Sequence, residues 1–286
     1  MFQELANKME IIGANTNVKV FAVSVCDRYF YPYALGHSGY VTDRHRNACY
    51  ELIVDSDKNN LAVDNADVIE KAIEVNADSV IPKDYVSKPY ETHESVKEFI
   101  SLYQESECQA QPYIVLQPPY KEIYTEFEAF YSQFNHFALG GLQSLSSPEM
   151  QVQEINRFHE VAHNDVTVHG FGVGTSVEII RACRNNRDFL DSLDIGTPEL
   201  SIKNDAIIDA EMEQFDFRVP KGDKSSTIRG QFAEAMLYLL NYVLSPLPNE
   251  GFIEEFYGYE TVEEAMTEQG ELSQFTDETT ARNVFS

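Results

Sequence analysis

Six short segments of this chain end in residues able to do acid–base, nucleophilic or base-recognition chemistry. In order, those ends are Asp55-Ser56, Asp84, Gln117, Gly140-Gly141-Leu142, Gly170-Phe171-Gly172-Val173-Gly174 and Asp194. Three carboxylates, one amide and two glycine-rich turns are what a site needs to hold a polar planar ligand and then move a proton or form a covalent bond to it. Taken singly, each is a capping residue or a turn glycine. Their recurrence at the ends of successive similar segments is what points to a common rim. A second constellation, His159-Glu160-Val161-Ala162-His163, is a literal HExxH, which on a helix would put two imidazoles and a carboxylate on one face. That helix runs into a strand, so the motif belongs to the far end of the molecule, and His169 follows too soon and inside a strand to be a third ligand. Neither a metal nor a cofactor is expected. Cys26, Cys49, Cys108 and Cys183 contain no CxxC pair and are too scattered for a disulfide framework.

The elements that must position these groups recur with a regular period. Val18 to Cys26, Tyr50 to Asp55, Ser79 to Asp84, Tyr113 to Gln117, His136 to Gly141, Val166 to Phe171 and Phe189 to Asp194 are short, β-branched or aromatic, and end in polar residues or glycine. Between them run helical patterns: Ala66 to Asn76, Glu91 to Glu107, Tyr120 to Phe134, Pro148 to Ala162 and Ser176 to Asn186. A further helix is expected over Phe2 to Ile12, stopping at Gly13-Ala14-Asn15. Alternation of this kind means βαβ units and a parallel sheet. With an eighth strand within Ser201 to Phe217, before the apolar helix Thr227 to Leu244, the chain reads as an α/β protein with a closed (β/α)8 TIM barrel. An open doubly wound sheet is the alternative. The barrel is expected as a single domain over 1–248, followed by an acidic extension over 249–286. In a barrel, chemistry gathers where the strands end, which is where the six groups lie.

In order and in placement, this set resembles the tRNA-guanine transglycosylase superfamily, and within it the DNA-directed, DpdA-type branch that places a 7-deazaguanine base into DNA. The resemblance covers about half the chain, from Tyr50 to Pro198. Ile53-Val54-Asp55-Ser56 is similar to the strand ending in Asp-Ser whose aspartate transfers protons. The segment Asp78 to Asp84 resembles the one ending in a base-recognising aspartate, and Ile114-Val115-Leu116-Gln117 the strand whose glutamine reads the purine carbonyl edge. Leu139-Gly140-Gly141-Leu142 resembles the family's Gly-Gly-Leu turn, whose Gly141 amide and Leu142 carbonyl would help to read the base. His169 to Thr175 resembles the glycine turn whose apolar residue, here Phe171 beside Gly172, lies against the base. Asp191-Ser192-Leu193-Asp194, with Pro198 beyond it, resembles the Asp-x-x-Asp strand whose second aspartate is the nucleophile. Ungapped counting from the glycine turn selects Asp191 instead, so both aspartates are candidates. Ser56 and His169 are kept as binding candidates, His169 also reading as a satisfied core histidine.

The resemblance implies replacement of guanine in DNA by a 7-deazaguanine, such as 7-cyano-7-deazaguanine, through a covalent aspartyl–sugar intermediate. The target guanine would be flipped out of the duplex, with Arg44, Arg46, Arg181, Arg184, Arg187 and Lys203 as candidate strand contacts. A homodimer is possible by the same resemblance. This sequence departs from the tRNA enzymes in lacking their CxCxxC…His zinc site after the nucleophile, and no RNA-binding module is expected beyond the barrel. Asp57-Lys58-Asn59-Asn60 stands where the family has a glycine pair and an aromatic, so one face of the base sandwich has no assigned residue. The remaining readings are a tRNA-guanine transglycosylase-like enzyme and a catalytically silent barrel that binds nucleic acid or a 7-deazaguanine.

Charge bounds the setting. The chain has 47 acidic and 21 basic residues, a formal charge of −26, spread along its whole length. Self-repulsion of this size is relieved at molar salt, where the screening length falls to about 3 Å, which suggests a salt-loving host, a haloarchaeon or its virus. Strong salt also weakens counterion release, so an acidic surface does not exclude DNA. Hydrophobic residues make up 43% of the chain, enough for a sizeable core. No run approaches the roughly 18 apolar residues of a membrane span, and no signal peptide opens the chain, so an intracellular, cytoplasmic location and no membrane partner are expected.

Overall fold

The computed structural model describes residues 18–23, 33–56, 62–163, 165–173, 177–186 and 188–196. Apolar β-branched runs form nine short strands: β1 (Lys19–Val23), β2 (Tyr33–His37), β3 (Glu51–Asp55), β4 (Ser79–Val80), β5 (Gln111–Pro112), β6 (Ile114–Leu116), β7 (His136–Leu139), β8 (Thr167–Gly170) and β9 (Ser192–Ile195). Seven helices accompany them: α1 (Asp43–Arg46), α2 (Asn65–Glu74), α3 (Pro89–Glu105), α4 (Tyr120–Glu126), α5 (Glu128–Tyr131), α6 (Pro148–His159) and α7 (Val177–Asn185). Local chemistry sets their starts. The Asp64 carboxylate accepts from Asp67 N–H at the head of α2, Ser147 Oγ caps α6, and Pro89 and Pro148 open α3 and α6, where a missing N–H costs nothing. The pattern Tyr120 to Phe134, expected as one helix, breaks at Phe127 into α4 and α5.

Every pairing is parallel, in the order β5-β4-β3-β2-β1-β9-β8-β7-β6. The two ends of that order, β5 and β6, are consecutive in the chain and separated by Tyr113 alone. The result is an α/β fold with a nearly closed parallel barrel whose seam lies at Tyr113. An open doubly wound sheet would instead leave its edges far apart.

The strand list corrects the sequence reading at two places. Tyr33–His37 was not expected as a strand, yet it pairs with β1 on one side and, over five residues, with β3 on the other. And β9 pairs directly with β1, Val20 opposite Leu193 and Phe21 opposite Asp194, so no further strand lies between them. The eighth strand expected within 201–217, the helices expected over 2–12 and 227–244, the domain boundary at 248 and the extension 249–286 all fall outside the described residues.

Strand residues alternate between two packing environments. On β3, Ile53 joins one buried cluster while Leu52 and Val54 join another with Val68, Ile69 and Ala72 of α2 and Phe99 of α3. Burial on both sides is why these strands read as continuous apolar runs. Below the strand ends, Phe21, Tyr113, His169 and Phe171 meet edge-on, with ring centroids 4.8–6.2 Å from His169, and fill the barrel rather than leaving a pore.

Candidate active site

Above that aromatic floor lies a cavity of about 270 Å³, close to the lower end of the size range of small-molecule sites. It is lined by Val23, Leu35, His37, Asp55, Asp84, Val86, Gly140, Gly141, Leu142, Gln143, Ser144, Phe171, Gly172, Asp194 and Gly196. Leu35 and His37 are two residues apart on β2, as neighbours on one face of a strand must be, and Gly196 follows the end of β9 two residues after Asp194. The cavity therefore draws on the ends of β1, β2, β3, β7, β8 and β9 and on the turn after β4.

Two of the three carboxylates are held by hydrogen-bond donors from other elements, and the third lies beside a histidine. Asp84 Oδ2 accepts from Gln117 Nε2 at 2.5 Å. Asp194 Oδ1 accepts from the Gly172 backbone N–H at 2.7 Å. Asp55 Oδ2 lies 3.4 Å from His37 Nδ1. Backbone and amide donors of this kind are stronger towards a carboxylate than towards a neutral acceptor, and they fix its direction.

The glycines are explained by these contacts. Gly141 has φ +73°, and a Cβ on Gly140 or Gly141 would run into the Gln117 amide. Gln117 Oε1 accepts from Ser87 N–H, and Tyr120 donates its hydroxyl to Gly140 O at 2.6 Å, so the Gly-Gly turn, Gln117 and the Asp84 loop form one hydrogen-bonded block. Gly172, at φ +64°, turns its N–H towards Asp194, and a Cβ there would lie 3.2 Å from the Gln143 amide.

Of the residues singled out in the sequence, Asp55, Asp84, Gly140, Gly141, Leu142, Phe171, Gly172 and Asp194 come together in this cavity. Four do not line it. Gln117 is fully buried with both ends of its amide engaged, so it is placed to orient Asp84 and the glycine turn rather than to read a base edge directly. His169 lies beneath, completely buried, its Nδ1 2.8 Å from Ser192 Oγ and its Nε2 3.8 Å from Asp194 Oδ1. Burial pushes its imidazole down to about 3, so it is neutral. Ser56 is buried behind Asp55, its carbonyl facing His37 Nδ1 at 3.1 Å. Asp191 precedes β9, at the opposite end of the strand from Asp194. Its carboxylate accepts from Val168 N–H at 2.7 Å, and three residues of strand, roughly 10 Å, separate it from the cavity level. The choice between the two aspartates left open by the sequence is thus a choice between the two ends of one strand.

His37 is the principal residue the sequence reading missed. Its strand follows Pro32 and contains Gly36, two signals against a strand. Gly36 has a packing reason, because a Cβ there would lie 2.7 Å from Val41 Cγ2. Val86, Gln143 and Ser144 were missed because they belong to turns, where periodicity carries no information.

The HExxH residues are engaged elsewhere. His159 Nε2 lies 2.9 Å from Phe189 O, His163 Nε2 lies 3.0 Å from Phe134 O, and Glu160 pairs with Lys121 at 2.6 Å. Helix α6 ends at His159, so the two histidines do not share a helical face, and among the described residues no cluster of three or more His, Cys, Asp or Glu could hold a metal. Of the candidate strand contacts, Arg46 pairs with Asp78 at the start of β3 and β4, away from the cavity, and Arg181 pairs with Glu178 on α7. The Arg184 side chain, Arg187 and Lys203 fall outside the described residues, as does 57–60. Among the described residues no helix is long and apolar enough to cross a membrane.

No model of a known protein family matches this chain, and no curated protein matches it either.

Proposed function

We propose that this protein is a base-exchange transglycosylase that replaces guanine in DNA with a 7-deazaguanine. The observation that carries the reading is the meeting of Asp55, Asp84 and Asp194 in one cavity with Phe171 and the Gly140-Gly141 turn. Two carboxylates beside one slot are the equipment of a retaining exchange at a glycosidic carbon. In this reading β5 and β6 act as a single strand across Tyr113, giving the eight strands of a (β/α)8 barrel without a zinc subdomain, and the cavity occupies its C-terminal face.

Asp194 attacks C1′ of a flipped deoxyguanosine, so that a C1′–O bond forms as the C1′–N9 bond breaks. The N9 electron pair departs with the purine, which takes a proton from Asp55. The incoming 7-deazaguanine then returns a proton from its N9–H to Asp55 as its nitrogen attacks C1′ and releases Asp194. Asp55 serves as acid and then base, and the enzyme ends as it began. Asp84, oriented by Gln117, receives the amino edge of the base, the Gly141 turn receives the carbonyl edge, and Phe171 covers one face. The Gly172 N–H stabilises the Asp194 carboxylate when it is released.

The test is incubation at molar KCl with 7-cyano-7-deazaguanine and either DNA or tRNA, followed by mass spectrometry of the nucleosides. Incorporation into DNA is expected. Incorporation into tRNA alone would assign the other polymer, and none into either would leave a silent binding barrel. Asp194→Asn is expected to abolish exchange and the trapped covalent adduct, while Asp191→Asn retains both; the reverse pattern overturns the assignment of the nucleophile.

A further inference from the structure

We propose that His37 and Asp55 form a proton-storing pair, and that His37 is the positioning residue that keeps Asp55 competent as an acid at neutral pH. The role of Asp55 rests on the transglycosylase reading, whereas the existence of the pair rests on geometry alone. His37 Nδ1 faces two acceptors, Ser56 O at 3.1 Å and Asp55 Oδ2 at 3.4 Å. A carbonyl can only accept, so Nδ1 carries a hydrogen that faces both Ser56 O and Asp55 Oδ2, and passing that hydrogen from the imidazolium to Asp55 leaves a neutral ring protonated on Nε2. Both side chains line the cavity, and both are largely shielded, at 18% and 14% exposure.

The surroundings favour a shared proton. From the turn after β2, Tyr40 packs edge-on against His37 at 5.3 Å, with His45 of α1 behind Tyr40 at 6.1 Å. β1 contributes Val23, which is uncharged, and Asp84 and Asp194 face the same cavity from the other walls. The Asp55 carboxylate beside the ring favours its charged form, and Asp84 and Asp194 add negative charge to the same cavity. A lone carboxylic acid has lost nearly all of its proton at pH 7. A carboxylate–imidazole pair instead holds one proton across the whole interval between its two macroscopic pKa values. When the leaving purine draws a proton from Asp55, the imidazolium can replace it; when the incoming base returns one, the pair is restored. The sum over both half-reactions is zero.

The test needs no turnover. In the wild-type protein, the His37 ring is titrated by NMR, and the same titration is repeated in Asp55→Asn. Loss of the carboxylate is expected to lower the His37 pKa by about one unit, a tenfold change in proton affinity. By reciprocity, the Asp55 carboxyl resonance in His37→Gln is expected to titrate higher by a similar amount, which keeps the test open if one variant folds poorly. Unchanged titration in both variants overturns the pair, whether or not base exchange occurs. Where exchange is measured, His37→Gln is expected to lose at least tenfold at pH 7.5 and to recover towards pH 5. A loss equal at every pH would reduce His37 to a structural role and overturn the proposal.

Discussion

At the scale of single residues, the cavity shows how burial sorts otherwise similar groups. Asp55, Asp84 and Asp194 remain at the surface of the cavity, whereas His169, one layer lower, is sealed beneath Asp194. The consequence for His169 can be measured. Its ordinary value of 6.5 is pushed by burial to about 3 in the folded protein, so the unfolded chain binds a proton that the folded one refuses between those pH values. The stability associated with neutral His169 is complete above about pH 6.5 and is lost as the pH falls towards 3, at up to about 1.4 kcal/mol per pH unit. Burial lowers His93 and His136 in the same direction, so the comparison must be with a variant. Urea midpoints at pH 7.5 and 5 are expected to fall further in the wild type than in His169→Asn. Equal falls would show that the buried imidazole does not set the acid limit.

At the scale of elements, glycine turns and a missed strand decide where the chemistry stands. Gly141 combines a left-handed backbone with contact against Gln117, so Gly141→Ala strains the turn and displaces the amide that holds Asp84. A loss of about 1–3 kcal/mol in stability is expected from denaturant unfolding. Gly196→Ala serves as the control, since its nearest neighbour would be 3.9 Å away, and it is expected to be close to neutral. The periodic helices were legible: α2, α3, α6 and α7 fall within three residues of their expected limits, because one apolar face per turn is a local signal. β2 was not, because Gly36 is dictated by Val41 and not by its sequence neighbours. With β2 went His37, the only histidine that lines the cavity among the described residues.

At the scale of the whole molecule, the acidic composition predicts how the fold responds to salt. Self-repulsion from a charge of −26 is long-ranged, and raising the salt from about 0.1 M to about 1 M shortens the screening length from about 10 Å to about 3 Å. We propose a halophilic setting, and the melting temperature is accordingly expected to climb steadily through molar KCl. A flat or falling curve would remove the reason for that setting and leave the acidic residues as solvated side chains without a link to salt. On the transglycosylase reading proposed above, DNA binding is expected to persist in molar KCl, since base stacking is less sensitive to salt than phosphate contacts are.

The sequence by itself determined the alternation of strand and helix, the parallel sheet that follows from it, and the residues that end most of the strands, because period and composition are local properties. The tertiary structure decided which of those residues meet. Asp191 and Asp194 stand three positions apart and look equivalent on paper, yet they lie at opposite ends of β9, one tying down β8 and the other facing the cavity. Gln117 reads as a recognition group and is instead enclosed behind Asp84. His37 lies in no element that the sequence predicts, and it stands beside Asp55. Which side chains share a cavity depends on strand order, register and burial, and these are fixed by contacts between segments far apart in the chain.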